Sequence, residues 1–209
     1  MIFGSLSKPS PDGTRMQMVR ISAYLLAAGL WFSLSACTEP TVAVDAGATV
    51  AEVRDFQTVK EDARIKLQVA SVFLDDQAGL FKNVNIDVYE SSVMLTGVVE
   101  TGADKLRAVE IVRSVDGVRT VLDEIQVTSD GNFQQTAEDV AIETTIKIRL
   151  LDEEEINSVN MRWRSVNGTV YLFGRALSEQ EQRDTIDVIK DVKGVRRVIN
   201  RQFIRPAPG

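Results

Sequence analysis

The chain has 209 residues, of which 44% are apolar, with 24 Lys and Arg against 30 Asp and Glu for a formal net charge of −6. That balance suits one or two small globular domains and argues against a disordered or low-complexity chain. With one Cys and no His, an internal disulfide, a Cys/His zinc site and any Ser-His-Asp or Cys-His catalytic group are excluded for want of residues.

Residues 1–36 read as an export signal. Arg15 and Arg20 supply positive charge ahead of residues 21–36, an uncharged, mostly apolar run of 16. A membrane-spanning helix needs about 20 such residues, and this run ends in small ones, as a cleaved signal does. A start at Met16 or Met18 would give a standard short basic region. The run closes on Leu34-Ser35-Ala36-Cys37, which resembles the lipobox of bacterial lipoproteins. The resemblance implies cleavage before Cys37 and acylation of its sulfur and of the new amino terminus. Two or more acyl chains anchor stably where one does not. The alternatives are an ordinary signal peptide with a chance Cys, or an uncleaved anchor. Thr38 follows the Cys, where Asp would suggest inner-membrane retention.

Residues 37–57, rich in Ala, Val, Thr and acids, read as a tether. From there the chain repeats itself with one constant offset of 77. Asp62, Ile65 and Leu74 fall on Asp139, Ile142 and Leu151, and Val93, Leu95 and Gly97 on Val170, Leu172 and Gly174. Val115, Gly117 and Val118 fall on Val192, Gly194 and Val195. A gapless repeat means one small unit used twice. The expected domains are 58–127 and 137–205, with a linker at 128–136 and a tail at 206–209.

Each unit opens with an amphipathic helix. In the first, Thr58 and Glu61 have capping-box spacing, and Ala63, Leu67, Ala70 and Leu74, flanked by Val59, Val69 and Phe73, form an apolar stripe. In the second, residues 139–151 do the same through Ile142, Ile146, Ile148, Leu150 and Leu151. Strands follow at 84–89 and 161–165. They turn through Ser91-Ser92 or through Asn167-Gly168, the latter a strong hairpin pair, into strands that alternate at period two from Val93 and Val170. Thr101 with Asp104, and Ser178 with Glu181, predict capped second helices. The apolar stripe there is Leu106, Val109, Val112 and Val115 in one copy and Ile186, Ile189 and Val192 in the other. Gly117 and Gly194 stand where a left-handed residue ends a helix. Extended runs at 118–127 and 195–204 close each unit. The fold class is therefore α+β: two tandem α-β-β-α-β domains, each a three-stranded mixed sheet with two helices on one face.

The leading amphipathic helix, the V-x-L-x-G strand (Val93-Met94-Leu95-Thr96-Gly97; Val170-Tyr171-Leu172-Phe173-Gly174) and the G-V-x-x-V turn (from Gly117 and Gly194) resemble the BON domain. Two such units behind a lipobox resemble the dual-BON outer-membrane lipoproteins of Gram-negative bacteria, the DolP family, of which OsmY is a soluble periplasmic relative. The resemblance implies a periplasmic protein, held to the outer membrane by N-terminal lipid, with inner-membrane anchoring as the other possibility. It also implies phospholipid binding by one BON domain, a part in envelope integrity, and no catalytic activity or cofactor. The family's lipid contacts lie around the first helix of the second domain, here residues 140–151.

Charge separates the copies. Residues 58–127 hold 8 Lys and Arg against 12 Asp and Glu, and residues 137–205 hold 12 of each. If Met161, Trp163, Val170 and Leu172 face the helices, the opposite sheet face of the second copy carries Arg162, Arg164, Tyr171, Phe173 and Arg175, then Ile199, Arg201 and Phe203. The corresponding first-copy face carries Asn85, Asp87, Tyr89, Met94, Thr96 and Val98. An arginine and aromatic face has three readings. A nucleic-acid platform conflicts with export. Anionic headgroups would pair with the arginines. Packing against the first domain would make the aromatics core, with Arg stems covering them, and this third reading is preferred. A second lipid candidate is the helix itself, with Lys147 and Arg149 at headgroups and Leu150 and Leu151 in lipid; its alternative is that these leucines close the domain core. Residues 152–155, Asp-Glu-Glu-Glu, repel an anionic surface and lack the spacing of a calcium loop. The expected partner is an anionic phospholipid membrane, with envelope proteins as the alternative and no nucleic acid.

Overall fold

The computed structural model describes residues 52–75, 82, 84–129 and 136–206; Cys37, the signal run, most of the tether and most of the linker lie outside them. The first repeat runs α1 (Phe56–Asp75), β1 (Val84–Tyr89), β2 (Ser92–Val99), α2 (Gly102–Ser114) and β3 (Thr120–Val127). The second runs α3 (Ala137–Asp152), a 3-10 turn (Ser158–Asn160), β4 (Met161–Val166), β5 (Thr169–Ala176), α4 (Glu179–Lys190) and β6 (Arg197–Ile204). Within each sheet the hairpin pairs antiparallel and the return strand pairs parallel to the middle one, in orders β1-β2-β3 and β4-β5-β6. The two registers also keep the 77 offset, Val84 facing Gly97 and Met161 facing Gly174. Gly174 has φ +103°, and a Cβ there would collide with the Asn160 carbonyl oxygen. Glycine is required at this point of the strand because the backbone is both left-handed and crowded. Gly97 shares the conformation.

Thr101 and Ser178 cap α2 and α4 as their spacing predicts, and Thr136 caps α3 in the same way. The first helix departs from expectation. Asp55, not Thr58, is its cap: the Asp55 carboxylate accepts from the Thr58 N–H at 2.9 Å and its carbonyl from Val59. α1 thus starts inside the expected tether, and the residues before it are packed. Val53 N–H donates to Asn160, and Arg54, its side chain buried, pairs with Asp62 and Glu52 and lies 4.2 Å from the centre of the Tyr89 ring.

Gly117 and Gly194 do have positive φ, at +87° and +98°. The helices have already ended at Ser114 and Lys190, so the glycines shape the turn into the last strand and are not helix caps. The first hairpin turns one residue earlier than expected, through Glu90 and Ser91 (φ 47° and 60°), which sit where Asn167 and Gly168 (φ 52° and 70°) sit in the second. Two successive positive φ values match the twist of a hairpin but strain non-glycine residues.

A buried carboxylate from the leading helix holds each turn. Asp62 accepts from the N–H groups of Glu90 and Ser91, both at 2.8 Å. Asp139 accepts from Asn167 at 3.0 Å, from Gly168 at 2.9 Å and from the Ser165 hydroxyl at 2.6 Å. Burial alone would raise the Asp139 pKa; the donors from Gly168, Ser165, Thr136 and Asn167 outweigh it and hold the carboxyl below its ordinary value.

Each repeat has its own core between helices and sheet, built from Ile65, Val69, Phe73, Ile86, Leu95 and Val112 in one and Ile142, Ile146, Leu150, Leu172 and Ile189 in the other. Two expected stripes are corrected here. α1 packs through Asp62, Ile65, Val69 and Phe73, while Leu67 and Leu74 are 72% and 64% exposed. In α2, Ala108, Val109 and Val112 are buried and Leu106 is exposed. A run at strict three-residue steps turns back about 60° per step at 3.6 residues per turn, which carries Leu106 off the face that Val112 occupies.

The remaining sheet faces close on each other. Tyr89, Met94 and Val98 of the first sheet and Val166, Tyr171 and Phe173 of the second form one buried cluster, with Leu122, Ile199 and Phe203 at its margin. Tyr89 packs edge-on to Phe173 with ring centroids 6.4 Å apart and tilts over Phe203 at 5.7 Å. The order of layers is helices, sheet, sheet, helices. Burying a large apolar side chain contributes roughly 1.5–3 kcal/mol, so six buried residues make this seam a core between the repeats.

Candidate functional site

Closing the seam decides which candidate side chains meet solvent. Tyr171 and Phe173 are buried within it. Arg175 is buried at its end, where Nε donates to the Arg205 carbonyl at 2.8 Å, Nη2 to the Pro206 carbonyl, and Nη1 lies 3.7 Å from Glu90. Arg164 lies at the edge, bound by two hydrogen bonds to Asp87 at 2.8 and 3.0 Å and set 3.5 Å from Glu143. Burial works against its charge, but Asp87 and then Glu143 more than offset that, and its pKa rises. Arg162 donates to the Val159 and Met161 carbonyls, 2.9 and 2.7 Å away, and forms no ion pair with a carboxylate among the described residues.

The leading helix of the second repeat carries the exposed part. Ile142, Ile146 and Leu150 face the core. On the other side Val140, Thr144, Lys147, Ile148 and Leu151 recur at helical spacing along one exposed stripe; Ile148 and Leu151 are 64% and 60% exposed. Leu150, expected at a lipid surface with Leu151, is instead fully buried, since one residue along a helix rotates the side chain by 100°. Ile148, expected in the core, takes the outer place. Lys147 within the stripe and Arg149 beside it are both exposed.

A cleft of about 370 Å³ opens between α3 and the edge strand β4, lined by Glu143, Lys147, Arg162, Trp163 and Arg164, with Asp87 of the first repeat. Trp163 forms its wall and is pinned by a hydrogen bond from its indole N–H to the Glu143 carbonyl at 3.2 Å. Burial pushes the Glu143 carboxyl above its ordinary value, with the Ser165 N–H and Arg164 opposing. Chemically the arrangement offers two cations, Lys147 and Arg162, next to an exposed aliphatic stripe: a place for a negatively charged group with apolar chains beside it. The acids at 152–155 are exposed directly after the helix.

Of the outward stripe of α3, sequence reasoning named Lys147 and Leu151 but not Val140, Thr144 or Ile148, and it did not find Asp62 and Asp139 as turn clamps. The signal for the second was present: an identical acid at equivalent positions, each three residues before a core isoleucine. No described helix is long and apolar enough to cross a membrane.

Comparison with known proteins bears on the whole arrangement. The BON domain pattern matches residues 61–129 and again 138–203. An uncharacterized protein in the gshII 5′ region of Anaplasma centrale is 35% identical over 141 residues, 67% of this chain and 92% of its own. Osmotically-inducible protein Y of Escherichia coli K12 is 28% identical over 67% of this chain and 71% of its own. The outer membrane lipoprotein DolP of Haemophilus influenzae is 26% identical over 75% of this chain and 83% of its own.

Proposed function

Because this chain belongs to the BON-domain family, with two copies of the domain and an outer membrane lipoprotein among its relatives, we propose that it is a non-catalytic, lipid-anchored envelope protein that binds anionic phospholipid and supports envelope integrity. Cys37 is the proposed anchor and the periplasmic face of the outer membrane the proposed location. The observation that carries the binding reading is the outer face of α3. Ile148 and Leu151 stand exposed beside Lys147 and Arg149, on a helix whose other side is fully committed to the core. An interfacial helix needs both an apolar stripe and adjacent cations. The cleft behind it adds Arg162.

The second reading is a protein-interaction or chaperone-like envelope module, with lipidation only an anchor. Its supporting observation is the outer stripe of α1, where Phe56, Leu67 and Leu74 are exposed on one face.

The test is co-flotation of the mature chain carrying Cys37→Ser with anionic and zwitterionic vesicles, at low and high salt. Flotation on anionic vesicles alone, lost at high salt, is expected. No flotation under any condition sinks the lipid reading and leaves the interaction module.

A further inference from the structure

The seam between the repeats has a property that the repeat itself exposes. At two charged positions across it, residue n meets residue n+77. Asp87 pairs with Arg164 and Glu124 with Arg201, the latter at 2.5 Å. Tyr89 and Val166, Met94 and Tyr171, and Leu122 and Ile199 share the seam cluster. Equivalent positions meet only along a twofold axis, so the repeats face each other as the two halves of a symmetric dimer would. The axis crosses the strands, from the β1–β4 pair Asp87 and Arg164 to the β3–β6 pair Glu124 and Arg201.

On such an axis, a true like-with-like dimer places each residue against itself. Here both charged axis positions hold an acid in the first repeat and an arginine in the second. The acid side chains are the enclosed members, Asp87 3% and Glu124 12% exposed. Two first repeats would set Asp87 against Asp87 and Glu124 against Glu124 with little water to separate them; two second repeats would oppose arginines twice. Size follows the same rule. Tyr89 holds the position of the smaller Val166, and Phe173 that of Thr96, so self-pairing would overfill one seam centre or leave the other short.

We propose that this seam is a charge-keyed pairing surface. It accepts an acid-bearing first-repeat face against an arginine-bearing second-repeat face, rejects like with like, and takes the complementary repeat of a second copy of this chain where its own face is mismatched. Rejection through opposed like charges is how interfaces discriminate among similar partners. The repeats are joined by the nine residues from 128 to 136, which reach up to about 30 Å when extended.

The test uses the mature chain with Cys37→Ser. In Asp87→Arg with Glu124→Arg, every available seam opposes arginine to arginine; in Arg164→Asp with Arg201→Glu, every seam opposes acid to acid. Each double variant should melt roughly 5–10 °C below the parent, and the fourfold variant, with the key inverted, should recover at least half of that loss. Mixed in equal amounts, the two double variants should form a 1:1 dimer by sedimentation, because exchange gives each face its complement; neither should dimerise alone. Additive losses in the fourfold variant overturn the key, and a mixture that stays monomeric overturns pairing between copies. Should the paired reversals fail to fold, Glu124→Arg, Arg201→Glu and their combination repeat the cycle at the more exposed pair, where absence of rescue again overturns the proposal.

Discussion

Asp62 and Asp139 occupy the same place in the two repeats and do the same work; Asp87 and Arg164 also occupy the same place and carry opposite charge. The first pair closes a hairpin inside its own repeat, so either copy needs it whatever its neighbour is. The second pair lies between the copies and is useful only when its members differ. Duplication thus leaves intact what each unit requires for itself and lets the shared surface diverge into complementary halves. The outer helix faces show a third outcome. Ala63, Leu67, Ala70, Ser71 and Leu74 of α1 become Val140, Thr144, Lys147, Ile148 and Leu151 in α3, so an uncharged stripe on one helix answers to a mixed basic and apolar one on the other.

The largest expected effect tests what both repeats share. Gly174→Ala forces a Cβ into the Asn160 carbonyl at a positive φ, and unfolding should ease by roughly 4 kcal/mol, measurable by urea denaturation. Asp139→Asn should cost on the order of 3 kcal/mol, since it weakens charge-assisted bonds from Asn167, Gly168 and Ser165. The sign with pH is fixed by the depressed folded pKa. Its stabilisation is complete above the unfolded value of about 3.9 and is lost as pH falls through the folded one, so the variant should show a flatter acid limb. A loss at Asp62→Asn smaller than that at Asp139→Asn would break the equivalence of the two clamps, because Asp62 also neutralises Arg54.

Next in size is the contrast between outer faces. Lys147→Ala with Arg149→Ala should weaken flotation on anionic vesicles about thirtyfold, taking about 1 kcal/mol per basic residue near such a surface. Lys60→Ala with Lys66→Ala on α1 should leave it unchanged. Equal losses would erase the distinction between the helices. Glu143→Gln should strengthen anionic binding, as should lowering the pH, because burial already favours the neutral acid there. The smallest effect is Leu106→Ala. It should shift stability by less than about 0.5 kcal/mol, against roughly 2 kcal/mol for Val109→Ala, on the same helix but buried.

The topology was legible because it rests on local signals written twice. Thr101 with Asp104 and Ser178 with Glu181 cap as their spacing says, and Asn167-Gly168 turns as that pair does wherever strands flank it. Glu90-Ser91 was not legible by composition, since nothing about Glu or Ser asks for positive φ; Asp62, distant in sequence, holds them there. The same buried acid hid the core face of α1. With a charge at a core position, the eye follows Leu67 and Leu74, which point to water. In α3 the two adjacent leucines at 150 and 151 are alike in chemistry, and only the helix rotation, set by where the sheet lies, separates core from surface.

Composition, the 77-residue offset and the period of each strand were enough to establish two copies of one α+β unit and to sort each sheet into two faces, because those properties arise from backbone geometry and from neighbours a few residues away. Which face would be covered, and by what, depended on a contact between residues 77 positions apart. Local periodicity marks a face as apolar or basic, but whether an arginine on it meets a carboxylate, a carbonyl or a membrane is settled only when the two sheets come together and water is removed from between them.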